Sequence, residues 1–236
     1  MSVREAYERG RTTFMGLELL VSRGALVPRP ETELLGSTAV EALRAMGSGE
    51  LRVIDMCCGA GNLACAIAHH VPQARVWACD LTPECVETAR SNVSLLALED
   101  RITVWQGDLF EALGSLGLHG TIDAIVCNPP YISEGRLAGD RAHLLELEPR
   151  EAFAAGPYGL SVHMRVVKEA PAFLRPGGAL LFEVGLGQDS QVKTLFARRK
   201  AYEGVRVVPN DAGEGRVVMG YASAGSLRPA PAAAGT

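Results

Sequence analysis

Residues 51–64 read LRVIDMCCGAGNLA: a β-branched apolar run ending in an acid, a turn of small residues, then the start of a helical pattern. Strand, tight turn and helix in that order open a parallel α/β sheet. Gly59 and Gly61 let backbone approach a ligand closely, and the helix that follows offers free N–H groups at its positive end. Working outward, RVWACD (75–80), RITVWQ (101–106), IDAIVC (122–127) and GALLFEV (178–184) read as further strands. Helical patterns at 61–69, 83–96 and 160–174 separate them, the second with Thr82 as cap and Pro83 at its first position. A helix near 190–200 precedes VRVVP (205–209) and RVVMGY (216–221), joined by the turn-rich NDAGEG as an antiparallel hairpin.

Upstream, TTFMGLELLVSRGALVPRPETELL (12–35) has a different texture. Two apolar runs flank Ser22-Arg23-Gly24, which predicts a hairpin turning there. Pro28 and Pro30 hold Val27 and Arg29 extended, and a helix is expected over 33–46. The organisation expected is an N-terminal hairpin and lid helix over 1–50, a catalytic domain over 51–222, and an unstructured Ala/Pro/Gly-rich tail over 223–236.

The chain has 236 residues, 47% hydrophobic and 21% charged, which excludes wholesale disorder. Its net charge of −4 argues against a nucleic-acid partner, which needs a basic face. No apolar run reaches the roughly 18 residues of a membrane span. MSVREAYERGRTTF lacks the apolar core of a signal peptide, so a cytoplasmic location is expected. The six cysteines form no CxxC pair and sit in apolar runs such as VWACD and AIVCN. They read as small buried hydrophobes, and no metal site is expected.

Asp80 ends the second strand, 19 residues after Gly61, where a carboxylate can accept both hydroxyls of a ribose. Two readings compete. Gly59-x-Gly61-x-x-Ala64 fits a dinucleotide fingerprint, with pyrophosphate on the helix dipole. The alternative is a site for S-adenosylmethionine, in which Asp55 faces the amino-acid end of the cofactor and the glycines admit its adenosyl part. A carboxylate beside a pyrophosphate gains nothing, which favours the methyl donor. Asp108, in WQGDLFEAL after the third strand, suits the adenine amino group; the competing reading is an ordinary helix start.

The fourth strand runs straight into Asn128-Pro129-Pro130-Tyr131. Two consecutive prolines remove two donors and fix the backbone. The Asn128 side-chain oxygen and the Pro129 carbonyl can then accept two N–H bonds from one planar nitrogen, while Tyr131 walls a flat substrate. At this point the chain resembles the amino-methyltransferases whose fourth strand closes in NPPY, and among them the HemK-type protein-(glutamine-N5) methyltransferases. The likeness runs from about Phe14 to Tyr221. It is carried by FMGLELLVSRGALVPRPETELL, by NPPY, by LEPREAFAAGPYGL, by GGALLFEVGLGQ and by NDAGEGRVVMG.

The resemblance implies a class I S-adenosylmethionine-dependent methyltransferase: Rossmann-like, with a mostly parallel seven-stranded sheet and an antiparallel C-terminal hairpin. It implies Asp55, Cys57, Gly59, Gly61, Asp80, Leu81, Asp108, Leu109 and Asn128 around the cofactor. Asn128, Pro129, Pro130 and Tyr131 fall at the reacting nitrogen, and Arg29, Pro30, Glu31, Tyr131, Glu148 and Glu183 along the substrate. The sequence departs from the family in two places. Cys57 replaces the first glycine of the usual D-x-G-x-G-x-G loop. Only Met1 to about Thr13 precedes the matching region, where the release-factor enzymes carry an N-terminal helical domain that helps grip the protein substrate. A glutamine amide and a guanidino nitrogen both present the planar group with two hydrogens that the motif asks for. The acceptor expected is a small amino-acid-like molecule or a protein glutamine, the short N-terminus favouring the former. The acidic stretch 134–151 reads as a solvated face or as a partner for a cation.

Overall fold

The structure is a computed structural model that describes residues 2–225; residues 226–236 of the expected tail lie outside them. Among the described residues nine strands and seven α-helices follow one another as α1 (Val3–Arg9), β1 (Arg11–Phe14), β2 (Leu17–Leu20), α2 (Glu33–Ala45), β3 (Leu51–Met56), α3 (Asn62–His70), β4 (Ala74–Asp80), α4 (Pro83–Leu95), β5 (Ile102–Gln106), β6 (Ile122–Cys127), α5 (Glu134–Ala138), α6 (Ser161–Glu169), β7 (Leu174–Glu183), α7 (Asp189–Ala197), β8 (Tyr202–Pro209) and β9 (Gly215–Ala222). Seven strands form one sheet in the order β5-β4-β3-β6-β7-β9-β8. The pairs β5-β4, β4-β3, β3-β6 and β6-β7 are parallel, and β9 runs antiparallel to both neighbours.

The strands are apolar on both faces because both are covered. Along β3, Val53 belongs to the apolar cluster that includes residues of α2, α3 and α4, while its neighbour Ile54 belongs to the cluster on the opposite face with Phe110, Val166 and Phe182. All six residues of β6 are buried, Asp123 included. That carboxylate survives burial by accepting the Arg52 N–H and pairing with Arg175. The chain order reverses direction between β3 and β6, so the loops leaving these two strands diverge and leave a crevice at their carboxyl ends.

Two expected elements shift. The N-terminal hairpin turns at Met15-Gly16, not at Ser22–Gly24: both residues have positive φ, 47° and 82°, as a two-residue hairpin turn demands. The Ser22–Gly24 turn lies beyond the hairpin and leads into Val27–Arg29. The helix expected to reach 174 ends at Glu169, because Pro171 opens a short 3-10 turn before β7. An unexpected helix, α1, is closed by a capping box in which Ser2 and Glu5 satisfy each other's backbone N–H.

The hairpin is fused to the sheet through one buried amide. Asn92 of α4 accepts the Leu20 N–H at 2.7 Å and donates to the carbonyls of Leu20 and Ala60. One side chain thus joins β2, α4 and the glycine turn after β3. Among the described residues, no helix is long and apolar enough to cross a membrane.

Candidate functional site

A cavity of about 390 Å³ opens at the carboxyl ends of β3, β4, β5 and β6. Its lining brings together Cys57 and Gly59 from the first loop, Asp80 and Leu81 from the second, Asp108 and Leu109 from the third, and Asn128 and Pro130 from the fourth. Arg29 and Thr32 close it from the N-terminal segment. Residues far apart in the chain meet because four parallel strands end on one rim.

The glycine turn is held from below. Gly61 caps α3 with φ 75°, and a Cβ there would stand 3.0 Å from that of Ala89. Glycine is thus required for both backbone and space. Gly59, φ 54°, donates its N–H to Asp80 Oδ2 at 2.8 Å, and Thr82 donates to Oδ1 at 3.3 Å. Burial pushes the Asp80 carboxyl up while these N–H groups pull it down. Cys57 adopts φ 60°, a left-handed conformation where the family's pattern has glycine. Its thiol meets that of Cys127; this contact, together with burial, pushes it well up and keeps it protonated. The other five cysteines are buried, as their apolar settings imply.

Several expected site residues lie behind the cavity wall. Asp55 is fully buried and does not line it. Its Oδ2 accepts the Ala64 N–H at 2.9 Å, tying β3 to the first turn of α3, and its Oδ1 has no partner. Burial, opposed by that N–H and reinforced by the Asp80 charge, pushes its carboxyl up to about 8. Gly61 and Pro129 also sit out of the lining. Asp108 lines the cavity but is already engaged, with Arg165 Nη1 2.9 and 3.0 Å from its two oxygens.

The expected substrate residues divide into pairs. Glu148, nearly buried, accepts the Val27 N–H at 3.0 Å and forms an ion pair with Arg29, so it fastens the segment before α2 to the loop before α6. The acidic stretch 134–151 largely neutralises itself: Glu134 pairs with Arg150, and Asp140 with Arg136 and Arg141. Pro30 and Glu31 face a shallower depression shared with Arg216. Tyr131 points its hydroxyl at Glu183 Oε1, 3.3 Å away, and Arg216 reaches the same oxygen at 3.4 Å. Burial and the Glu183 charge push the Tyr131 phenol up to about 12. Behind this group, buried His163 bonds the Glu183 carbonyl and is pushed down to about 4, so it stays neutral.

Three participants were not singled out from the sequence, although Gln188 and Thr32 lie in the stretches GGALLFEVGLGQ and PRPETELL. Gln188 holds the NPPY loop by donating to the Tyr131 carbonyl while accepting the Gly185 N–H, each at 3.0 Å. Arg165 and Thr32 reach the cavity from distant helices and turns. Their roles depend on tertiary neighbours, which spacing does not encode.

Fold and site define the class I methyltransferases. Residues 33–146 match the model of the methyltransferase small domain. The chain is 37% identical over 215 residues to a release factor glutamine methyltransferase of Moorella thermoacetica, covering 91% of this chain and 74% of that one. It is also 37% identical over 198 residues to a 4-amino-L-phenylalanine/4-methylamino-L-phenylalanine methyltransferase of Streptomyces pristinaespiralis, covering 82% and 65%. A solved protein-(glutamine-N5) methyltransferase, release factor-specific, from Alicyclobacillus acidocaldarius superposes with a TM-score of 0.52 at 28% identity, covering 86% of this chain and 98% of that one. The chain belongs to the release factor glutamine methyltransferase family.

The Asp55 carboxyl yields a stability test. Its folded pKa, about 8, exceeds the ordinary 3.8. The folded chain therefore holds a proton that the unfolded chain lacks between these values, and this contribution is lost as pH rises through about 8. Asp55→Asn keeps an acceptor for Ala64 and removes the titration. Urea midpoints of wild type relative to Asp55→Asn should fall between pH 5 and pH 8.5; a difference independent of pH refutes the assignment.

Proposed function

We propose that this chain transfers a methyl group from S-adenosylmethionine to a planar nitrogen carrying two hydrogens, the side-chain amide of a protein glutamine being the acceptor best supported. One observation carries the reading. A single cavity joins the glycine turn and Asp80, suited to an adenosyl group, to Asn128 and Pro130, suited to an amide. Bound S-adenosylmethionine would supply the methyl on a positively charged sulfur.

The chain's own residues do the rest. Asp80 is held by two backbone N–H groups and retains lone pairs for ribose hydroxyls. Leu81, 58% exposed, offers an apolar surface to a base, and Asp108 with Arg165 offers a polar edge. Gly59 supports close backbone approach, and Cys57 leaves room with a small neutral thiol. Asp55 and Gly61 act from behind the wall by fixing the turn and the start of α3. Asn128 Oδ1 accepts one hydrogen of the acceptor nitrogen at the cavity, with the Pro129 carbonyl, behind the lining, the second acceptor of the motif. This localises the nitrogen's lone pair toward the methyl and stabilises the positive charge developing there. Tyr131, anchored by Glu183 and Gln188, walls the acceptor, and the Arg29–Glu148 pair fixes the segment that closes the site.

A second reading, a small amino-acid-like acceptor, is favoured by the Streptomyces relative, which by its name acts on an aromatic amine. The first of the two amines in that name carries two hydrogens on a nitrogen conjugated with its ring, the second one hydrogen. Competition in one tube between purified release factor, 4-amino-L-phenylalanine and free glutamine- and arginine-like compounds separates the two. The expected product is a methylated glutamine of the release factor; exclusive methylation of a small compound selects the second reading.

Asp80→Ala should weaken S-adenosylmethionine binding by about 1–3 kcal/mol, the value of charge-assisted bonds to a ribose. Unchanged affinity by calorimetry, or tight NADH binding by the wild type, overturns the cofactor site. Asn128→Ala should cut turnover by about 100-fold or more with cofactor affinity nearly intact, as for loss of a positioned transition-state partner. Turnover within about threefold of wild type would make NPPY structural here.

A further inference from the structure

Thr32 occupies the last position of a 3-10 turn, Pro30–Thr32, that leads into α2. It is 2% exposed and lies 96 residues before Asn128 in sequence. Even so, its side chain reaches the cavity floor, where Asn128 Nδ2 donates to Thr32 Oγ1 at 3.2 Å. A threonine hydroxyl has one hydrogen to give and two lone pairs to receive. Having received the Asn128 amide, it must place its own hydrogen elsewhere.

Glu183 supplies the place. It is 2% exposed, its Oε1 serves Tyr131 and Arg216, and its Oε2 has no hydrogen-bond partner. Burial pushes its carboxyl up, and the Thr32 hydroxyl is the foremost group pulling it back down, ahead of Arg216. An ionised carboxylate only accepts. The unpartnered Oε2 is the acceptor left open to that hydrogen, and the Thr32 oxygen presents its lone pairs to Asn128, whose Nδ2 it receives.

An asparagine amide has nearly the same shape either way round, and its two ends have opposite hydrogen-bonding character. With Nδ2 toward the cavity, it would meet an acceptor NH2 donor against donor. With Oδ1 toward the cavity, it receives one of the hydrogens. A neighbour that accepts from Nδ2, as the Thr32 oxygen does, favours the second orientation before substrate arrives.

We propose that Thr32 is a positioning residue that holds the Asn128 amide with Oδ1 facing the acceptor nitrogen. This rests on the reading of Asn128 given above and adds a residue to it. Thr32 touches neither reacting atom; it removes a rotational choice from a group that does, so its loss should appear in the chemical step.

The test uses the full chain with purified release factor and 4-amino-L-phenylalanine as parallel acceptors. Thr32→Val keeps shape and deletes the hydroxyl, and Thr32→Ser keeps the hydroxyl. Thr32→Val should lower kcat about tenfold or more, with acceptor KM and S-adenosylmethionine affinity each within about threefold. Thr32→Ser should recover most of the lost turnover, which a purely packing role would not predict. If Thr32→Val does not fold, as judged by its melting curve, Thr32→Ala is held to the same criterion. The proposal falls if the hydroxyl-free variant keeps kcat within about twofold while Asn128→Ala has lost it, or if Thr32→Ser is as slow as Thr32→Val. If Asn128→Ala itself keeps turnover, the reading of NPPY falls first and this one with it.

Discussion

The pairing of β3 with β6 is the constraint on which the site depends. Met56 lies level with Cys127 in that parallel register, so the glycine turn and the NPPY loop leave the sheet side by side. The backbone ladder and the two-sided apolar core hold them together, with the Cys57 thiol against that of Cys127 at their base. Because the connections to either side of this pair wind in opposite directions, no helix covers the gap, and the cavity is what remains open.

Around this gap the chain spends polar groups on geometry rather than on binding. Asp55, Asp80, Glu148 and Glu183 are each drawn into low-dielectric surroundings, where an unpartnered carboxylate is costly. Three of them answer with backbone N–H groups or cations: Asp80 with Gly59 and Thr82, Glu148 with Val27 and Arg29, Glu183 with Arg216. Asp55 has a single N–H for two oxygens and takes a proton instead. The result is a rim whose loops are tied down before any ligand enters, the condition for electrostatic stabilisation without reorganisation.

What was legible in the sequence follows from range. Strand, turn and helix patterns are local, so the sheet strands and most helices were readable to within a few residues. The NPPY and glycine-turn residues were readable because each motif is contiguous. The hairpin was misplaced because Met15 adopts positive φ without the Asn or Gly that usually marks such a turn. Asp55 read as the acid at the end of the first strand that faces the cofactor's amino-acid end; that its Oδ2 accepts the N–H of Ala64, nine residues on, spacing does not reveal. Glu148 and Arg29 each read as facing substrate, and neither spacing nor composition could reveal that they face each other across 119 residues.

That last pair bears on how the N-terminal segment relates to the sheet. Arg29 and Thr32 lie three residues apart, yet one grips the loop before α6 and the other grips the end of β6. A short extended stretch bounded by Pro28 and Pro30 therefore bridges the two walls of the cavity. Its stiffness is set by proline, which fixes φ and restrains the preceding residue. Upstream, the Asn92 amide binds the same segment's hairpin to the glycine turn through Ala60. The N-terminal fifty residues are thus tied to three of the loops that form the cavity. The geometry of the NPPY asparagine depends on a part of the chain that contributes no strand to the sheet.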